Sequence, residues 1–180
     1  NQNVAITSGC NQAFCASISS FTSENDEVII PTPWYFNHHM WLQMAGVKSI
    51  PLDTDANMNP IIEKAEALIT DRTRAIVLVS PNNPSGAIYS NQLLQKFFDL
   101  CKSNQIRLII DETYKDFHPN ASQPHTLLEN NNWDQVLTIL YSFSKTYRMT
   151  GHRIGALLTS KENLIEIEKA LDTFTVCPPQ

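Results

Sequence analysis

The sequence predicts an α/β fold, a three-layer α/β/α sandwich on a mostly parallel sheet of seven strands with the last strand antiparallel. Three observations predict it. Short apolar runs alternate with helical patterns along almost all of the 180 residues. The run at 75–79 is entirely apolar, which is typical of a strand buried on both faces. The connection between the last two runs, 136–140 and 154–158, lacks a helical pattern, so these strands are expected to be antiparallel.

In chain order, the apolar runs predict strands over 4–7, 27–30, 47–52, 75–79, 107–110, 136–140 and 154–158. The periodic segments between them predict helices over 12–21, 35–45, 61–69, 92–104 and 162–172. Local residues support several of these bounds. The turn Ser8-Gly9-Cys10-Asn11 opens the first helix, and Pro31-Thr32-Pro33 closes the second strand. Gly46 follows the second helix as a C′ glycine does, and residues 81–86 form a turn after the fourth strand.

Composition excludes several classes of function. The formal net charge is −5 and no cluster of Lys and Arg occurs, so no nucleic-acid surface is predicted. No apolar run has the length of a membrane span and no signal peptide is recognisable, so no membrane contact is predicted. The four cysteines, Cys10, Cys15, Cys101 and Cys177, lack a C-x-x-C spacing, so neither a metal site nor a disulfide framework is expected. A reducing, cytoplasmic compartment fits best.

Both ends of the sequence are expected to be cut from a longer protein. The first predicted strand begins within a few residues of Asn1, and Cys177-Pro178-Pro179-Gln180 directly follows the last helical pattern. At this length, residues 1–180 are expected to form one domain.

The segment from Ser142 to Gly155 carries the strongest chemical pattern. Lys145 stands between two apolar runs that are predicted to be core strands, a placement that lysines usually avoid. One interpretation is an ordinary solvated loop lysine. The other is a lysine that forms a Schiff base with pyridoxal phosphate (PLP), with Ser142, Ser144 and Arg153 holding the phosphate.

Further candidate residues follow the other strands, where ligands bind in sheets of this kind. The turn at Ser8 to Asn11 offers backbone N–H groups to an anion, although an ordinary helix cap explains it equally. Asp111 could cap the next segment or face a pyridine nitrogen and keep it protonated. Tyr35 or Trp34 could stack on a ring or belong to the core. Four histidines show no shared pattern and are interpreted as surface or structural residues: His38, His39, His118 and His125.

Four motifs occur in an order and spacing that match one family. They are Thr7-Ser8-Gly9, Asn82-Asn83-Pro84-Ser85-Gly86, Asp111-Glu112-Thr113-Tyr114 and the segment 142–155. From about residue 4 to 180, the chain resembles the large, cofactor-binding domain of fold-type I PLP-dependent aminotransferases, class I/II.

The resemblance implies a role for each matching residue. Lys145 forms the Schiff base and transfers protons, Asp111 pairs with the pyridinium nitrogen, and Tyr114 and Asn83 bind the ring oxygen. Tyr35 stacks on the ring. The implied phosphate ligands are Ser8, Gly9, Cys10, Ser142, Ser144 and Arg153, with Gly9 and Cys10 acting through backbone N–H groups. Two departures from the family pattern are Cys10-Asn11 after the glycine and Tyr35-Phe36-Asn37-His38, which leaves the stacking residue open between Trp34 and Tyr35.

The resemblance implies an enzyme that transfers an amino group between an amino acid and a 2-oxo acid. Two alternatives remain: another fold-type I enzyme, such as a decarboxylase or a carbon–sulfur lyase, and a non-catalytic regulatory domain of aminotransferase type. The family's small domain, with its carboxylate-binding arginine, is expected after Gln180, and a segment that covers the substrate before Asn1. The full-length protein is expected to be a homodimer, and residues 1–180 alone to be inactive. The sequence does not identify the substrate.

Overall fold

The computed structural model describes residues 3–175, and the predicted elements within this range are present. The strands are β1 Val4–Thr7, β2 Glu27–Pro31, β3 Lys48–Leu52, β4 Thr73–Val79, β5 Arg107–Asp111, β6 Leu137–Ser142 and β7 Gly155–Leu158. The α-helices are α1 Cys10–Phe21, α2 Phe36–Met44, α3 Ile62–Leu68, α4 Asn91–Ser103 and α5 Lys161–Phe174. The expectation about the end of the chain at 177–180 lies outside the described residues.

All seven described strands form one sheet in the order β1-β7-β6-β5-β4-β2-β3. The pairs β2/β3, β2/β4, β4/β5 and β5/β6 are parallel. β7 is antiparallel to both of its neighbours, β1 and β6. The prediction of a mostly parallel sheet with an antiparallel last strand is therefore confirmed. The reason is the connection between β6 and β7, which contains no α-helix to carry the chain back across the sheet.

Helices cover the sheet on two sides. One core contains apolar residues of α1, α2 and α5, and the other contains those of α3 and α4. β4 contributes to both because side chains alternate along a strand: Val77 packs in the first core, and Ile76 and Leu78 pack in the second. This explains why β4 reads as a continuous apolar run, and it confirms the three-layer sandwich.

The connection from β5 to β6 is a loop in the prediction but contains three 3₁₀-helices: Lys115–Phe117, Leu127–Glu129 and Trp133–Gln135. A buried pair ties it to the end of β5, since His125 Nε2 lies 2.7 Å from Glu112 Oε1. The Leu127 N–H donates to His125 Nδ1 at 3.3 Å. Nδ1 is therefore the acceptor, Nε2 carries the proton, and His125 has a structural role.

Two expectations from composition can be compared with the described residues. Cys10, Cys15 and Cys101 are free thiols, and Cys177 lies outside the described range. Across residues 3–175, no helix is both long and apolar enough to span a membrane.

Candidate active site

The carboxyl ends of β4, β5 and β6 meet at one cleft of about 410 Å³. Val79, Asp111 and Ser142 are the final residues of these strands, and all three line it. β7 runs in the opposite direction, so it begins at the edge where β6 ends. This places Arg153, two residues before β7, in the same cleft. The volume lies in the range of small-molecule sites.

Most of the predicted site residues line this cleft: Cys10, Tyr35, Asn83, Asp111, Tyr114, Ser142, Ser144, Lys145 and Arg153. Ser8 and Gly9 are not among its lining residues. The Ser8 N–H donates to Gln12 Oε1 at 2.6 Å, so this amide is already used within the first turn of α1. Gly9 adjoins Arg153 at the edge of the cleft.

The turn between β1 and α1 forms an anion cradle with Arg153. Gly9 has a φ of 81°, and a Cβ at this position would overlap the Arg153 guanidinium. The first N–H groups of α1 have no partner within the helix, and its first turn contains no acidic residue. A glycine, free helix N–H groups and a guanidinium in one place are suited to a phosphate group.

Two serines complete this side of the cleft. The Ser144 N–H donates to Ser142 Oγ at 3.2 Å, and both side chains are buried. Arg153 Nη1 donates to Ser144 Oγ at 3.5 Å and to the Thr150 carbonyl at 3.0 Å. These contacts direct the guanidinium toward the cradle.

Asp111 is a buried anion at the centre of the cleft. Its Oδ1 accepts the Thr113 N–H at 2.9 Å, and its Oδ2 lies 3.2 Å from His38 Nε2. Burial alone would raise its pKa, but the hydrogen bond and charge of His38, together with Thr113, outweigh burial and lower the pKa. Asp111 is therefore ionised at neutral pH.

His38 is the site residue that the sequence analysis did not identify. It was interpreted as surface or structural, yet it is buried and contacts Asp111 directly. The spacing of Tyr35 and His38 could have indicated this, because residues three apart lie on the same side of a helix. Their ring centroids are 5.1 Å apart.

Cys10 contributes its backbone to the cradle, and its side chain stays neutral. Burial, followed by the charge of Asp111, raises the pKa of the Cys10 thiol well above its ordinary value. The thiol is therefore protonated at neutral pH and is no nucleophile.

The structure separates the two candidates for a stacking aromatic residue. Tyr35 lines the cleft, and its hydroxyl accepts a hydrogen bond from Asn37 Nδ2 at 2.9 Å. Trp34 stacks on His39 with a centroid distance of 4.5 Å and packs against the core. Tyr35 is therefore the better placed of the two to cover a ring in the cleft.

Lys145 lies in the connection between β6 and β7, the two predicted core strands, and the strands do not bury its side chain. Its neighbour Ser144 is buried, but the Lys145 side chain is exposed where it lines the cleft. The cause is the end of β6 at Ser142, after which the turn carries the chain away from the core. Lys145 Nζ lies 5.8 Å from the centre of the Tyr114 ring.

The two asparagines of the turn after β4 have different environments. Asn82 is buried, donates to the Tyr89 hydroxyl at 3.3 Å and accepts from the Ser85 N–H at 3.0 Å. Asn83 is half-buried and lines the cleft. Asn82 therefore shapes the turn, and Asn83 presents its amide to the site.

A primary amine, a buried carboxylate and an anion cradle in one cleft fit the polar groups of PLP, which are an aldehyde, a pyridine nitrogen and a phosphate. The cleft thus offers one group for each of these polar groups of PLP.

Comparison with known proteins gives the family. A family model described as aminotransferase class I and II matches residues 1–179. The probable aspartate aminotransferase of Methanocaldococcus jannaschii is 30% identical over 177 residues, which cover 94% of this chain and 43% of that protein. The aromatic aminotransferase of Pyrococcus horikoshii superposes with a TM-score of 0.90 at 26% identity, covering 98% of this chain and 48% of that structure. The chain belongs to the class I and II aminotransferases, the PLP-dependent family that it resembles in sequence.

An aromatic aminotransferase of Arabidopsis thaliana is 31% identical over 186 residues and extends the same relationship to plants. The match covers 98% of this chain and 46% of that protein. The chain thus spans a little under half the length of the curated relatives that it matches.

Proposed function

We propose that residues 1–180 are the large domain of an aminotransferase that binds PLP and transfers an amino group between an amino acid and a 2-oxo acid. One observation carries the proposal: Lys145, Asp111 and Arg153 line the cleft at the carboxyl ends of β4 to β6, and Gly9 adjoins the Arg153 guanidinium at its edge. The family relationship supports it independently.

Bound PLP supplies an aldehyde that condenses with amines and a ring that withdraws electrons. Each residue has a part in using it. Lys145 Nζ would be the amine that holds the cofactor through its aldehyde carbon, and it would accept and return the proton at the substrate Cα. The Asp111 carboxylate would accept a hydrogen bond from the protonated ring nitrogen, and Tyr114 and Asn83 would donate hydrogen bonds to the ring oxygen. Tyr35 would cover the ring face, while Arg153, Ser142, Ser144 and the Cys10 N–H would hold the phosphate. The Gly9 N–H donates to the Thr7 carbonyl at 2.9 Å, so Gly9 contributes the space beside Arg153.

Reductive labelling tests the attachment site. PLP is added to the purified protein, the complex is reduced with borohydride, and the labelled peptide is mapped. We expect the label on Lys145. We expect the Lys145→Ala variant to lose both the label and the visible absorption of protein-bound PLP before reduction. Lys115→Ala is the matched control, since Lys115 lies nearby against the Tyr141 ring and outside the lining of the cleft. A label on any other lysine would overturn the assignment.

Transamination is the reaction that the relatives favour over the two alternatives. The relatives and solved structures named above are an aspartate aminotransferase and two aromatic aminotransferases. A screen of amino donors separates the possibilities: a transaminase yields the 2-oxo acid, a decarboxylase releases CO₂, and a carbon–sulfur lyase releases a thiol. A regulatory domain would bind PLP and yield none of these products.

The remaining features of the whole protein are also proposals. We propose a cytoplasmic homodimer, with the carboxylate-binding arginine and the segment that covers the substrate outside residues 1–180. The length of the relatives supports this division, because the matched residues cover 43% to 48% of each.

A further inference from the structure

We propose that Glu112 and His125 are positioning residues, which together hold Tyr114 at its place in the cleft. The proposal rests on the proposed function, in which the Tyr114 hydroxyl donates to the ring oxygen of PLP. It assigns a role to a buried polar pair that the mechanism above does not use.

The contact between Glu112 and His125 is short and shielded from solvent. The Glu112 side chain is 7% exposed and that of His125 is 4% exposed, and His125 Nε2 lies 2.7 Å from Glu112 Oε1. Because His125 Nδ1 accepts the Leu127 N–H, Nε2 is the nitrogen that donates to the Glu112 carboxyl group. A buried polar group that loses its partner destabilises the fold, so the pair favours one position of Glu112.

His125 is itself fixed to a helix of the core. The next residue, Thr126, donates its N–H at 2.9 Å to Oδ1 of Asn91, the first residue of α4. Leu127 is fully buried in the same core as the apolar face of α4. The imidazole therefore has a rigid support, although His125 belongs to the long connection between β5 and β6.

Glu112 in turn begins the turn that carries Tyr114. Its N–H donates to the Leu140 carbonyl of β6 at 2.8 Å, and its carbonyl accepts the Lys115 N–H at 3.0 Å. The second contact is the hydrogen bond between the first and fourth residues of a β-turn. Tyr114 is the third residue of this turn, with a φ of −110° and a ψ of 16°. The position of Glu112 therefore determines where the Tyr114 side chain points.

The side chain of Tyr114 has weaker support than its backbone. Tyr114 is half-buried, and its ring centroid lies 6.1 Å from that of Phe117, which is 63% exposed. Lys145 Nζ lies 5.8 Å from the centre of the Tyr114 ring. A displacement of the turn at Glu112 would therefore move the Tyr114 hydroxyl relative to Lys145 and to the cofactor.

The test follows the visible absorption of PLP bound to the full-length protein as a function of pH. A hydrogen bond donated to the ring oxygen stabilises its anionic form and so lowers the pH midpoint of the absorption change. We expect Tyr114→Phe, which removes this donor, to raise the midpoint by about half a unit to one unit. His125→Leu should raise it by a comparable amount. Adding His125→Leu to Tyr114→Phe should cause no further shift, because both changes act through one hydroxyl.

Two further variants separate positioning from a general loss of structure. Gln95→Ala removes the hydrogen bonds of 3.0 and 3.3 Å between α4 and Asn130, which belongs to the same connection, without touching Glu112. It should leave the midpoint unchanged. Glu112→Gln retains an oxygen that can accept from His125 Nε2, so its midpoint should stay close to that of the unchanged protein. Urea denaturation of each variant shows that the shift does not follow stability.

A shift in His125→Leu that is absent in the Tyr114→Phe background supports the proposal. An unchanged midpoint, additive shifts, or an equal shift in Gln95→Ala or Glu112→Gln would overturn it. If PLP forms no adduct at Lys145, or if Tyr114→Phe itself causes no shift, the proposed function fails and this inference fails with it.

If His125→Leu does not fold, the combined change of Glu112→Leu and His125→Leu replaces it. This variant removes both polar groups and leaves neither of them buried without a partner. It should show the same shift, and an unchanged midpoint would again overturn the proposal.

Discussion

Arg153 adopts a backbone conformation that few side-chain-bearing residues adopt, with a φ of 51°. The left-handed region costs such a residue about 1–2 kcal/mol, so the surrounding structure must maintain it. With this backbone conformation, the Arg153 guanidinium contacts Ser144 and occupies the space beside Gly9. A strained backbone at this point is consistent with a binding role.

Replacing Arg153 with Ala should chiefly weaken retention of PLP. A guanidinium–phosphate contact at a partly buried site contributes on the order of 2–5 kcal/mol, which is roughly 30-fold or more in Kd. Dialysis against PLP-free buffer measures the difference. Arg148→Ala is the control, because Arg148 also has a positive φ of 54° but is exposed and does not line the cleft. Equal retention in both variants would exclude Arg153 from the phosphate site.

Asp111 should make stability depend on pH in one direction. Burial raises its pKa, but His38 and Thr113 lower it more, so the folded pKa lies below the ordinary value of about 3.9. Such a group contributes stability that is fully present above the unfolded pKa and is lost as pH falls through the folded pKa. The difference in unfolding free energy between the unchanged protein and Asp111→Asn should therefore be constant above about pH 5 and shrink below pH 4. Urea denaturation at a series of pH values measures it, and a difference that grew on acidification would contradict the assignment.

At the scale of elements, β7 must lie very close to the turn after β1. A Cβ on Gly155 would be 2.6 Å from the Gly9 carbonyl carbon and 2.7 Å from the Cys10 nitrogen. Two backbone segments are the obstacles, so neither can simply rotate away. The absence of a side chain at Gly155 is what allows the cradle and the start of β7 to meet.

Gly155→Ala should therefore destabilise the protein by about 1–3 kcal/mol and weaken PLP binding as well. Gly151→Ala is a close control, since a Cβ there meets nothing within 4 Å. Urea denaturation and PLP titration of both variants give the two quantities. Unchanged stability in Gly155→Ala would mean that the two segments are farther apart than described.

A second link between elements fixes the turn that carries Lys145. Asp116 Oδ2 accepts the Tyr141 hydroxyl at 2.5 Å and the Thr146 hydroxyl at 3.0 Å. Tyr141 precedes Lys145 and Thr146 follows it, so one carboxylate oxygen holds both ends of the turn. Asp116 belongs to the 3₁₀-helix that follows Tyr114, and it thereby connects the two loops on either side of the cleft.

Asp116→Ala should loosen this turn. We expect amide hydrogen exchange within residues 143–153 to become faster by about 10-fold while exchange in β4 stays unchanged. Asp71→Ala serves as the control, because Asp71 is exposed and precedes β4. It therefore lies at the amino-terminal end of that strand, whereas the cleft lies at the carboxyl end. Exchange that is equally slow in both variants would show that Asp116 does not hold the turn.

In the molecule as a whole, residues 1–180 contain the cleft at the carboxyl ends of β4 to β6 but cover less than half the length of their relatives. Much of an enzyme's rate comes from fixing the substrate against the reacting group. We therefore expect residues 1–180 alone to show no measurable transamination with PLP, a mixture of amino donors and 2-oxoglutarate or pyruvate. The full-length protein is the positive control. Comparable turnover in the two samples would refute this division of roles.

The elements, their order along the chain and most residues of the cleft could be predicted from the sequence. Apolar runs and helical periods locate seven strands and five helices in the described range, because burial selects side chains residue by residue. The ends of the parallel strands then indicate Asn83, Asp111 and Lys145, since those ends share one edge of the sheet.

Contacts between side chains of elements that are distant in the sequence depend on the tertiary structure. It brings His38 of α2 onto Asp111 of β5, leaves Lys145 exposed, and selects Tyr35 over Trp34 at the cleft. It also places Gly155 against Gly9. None of these contacts could be predicted from hydrophobic periodicity. The periodicity of an element indicates which of its faces is buried, but it does not indicate which residues of another element pack against that face. Those partners depend on strand order and helix packing, which bring residues as far apart as 38 and 111 into direct contact.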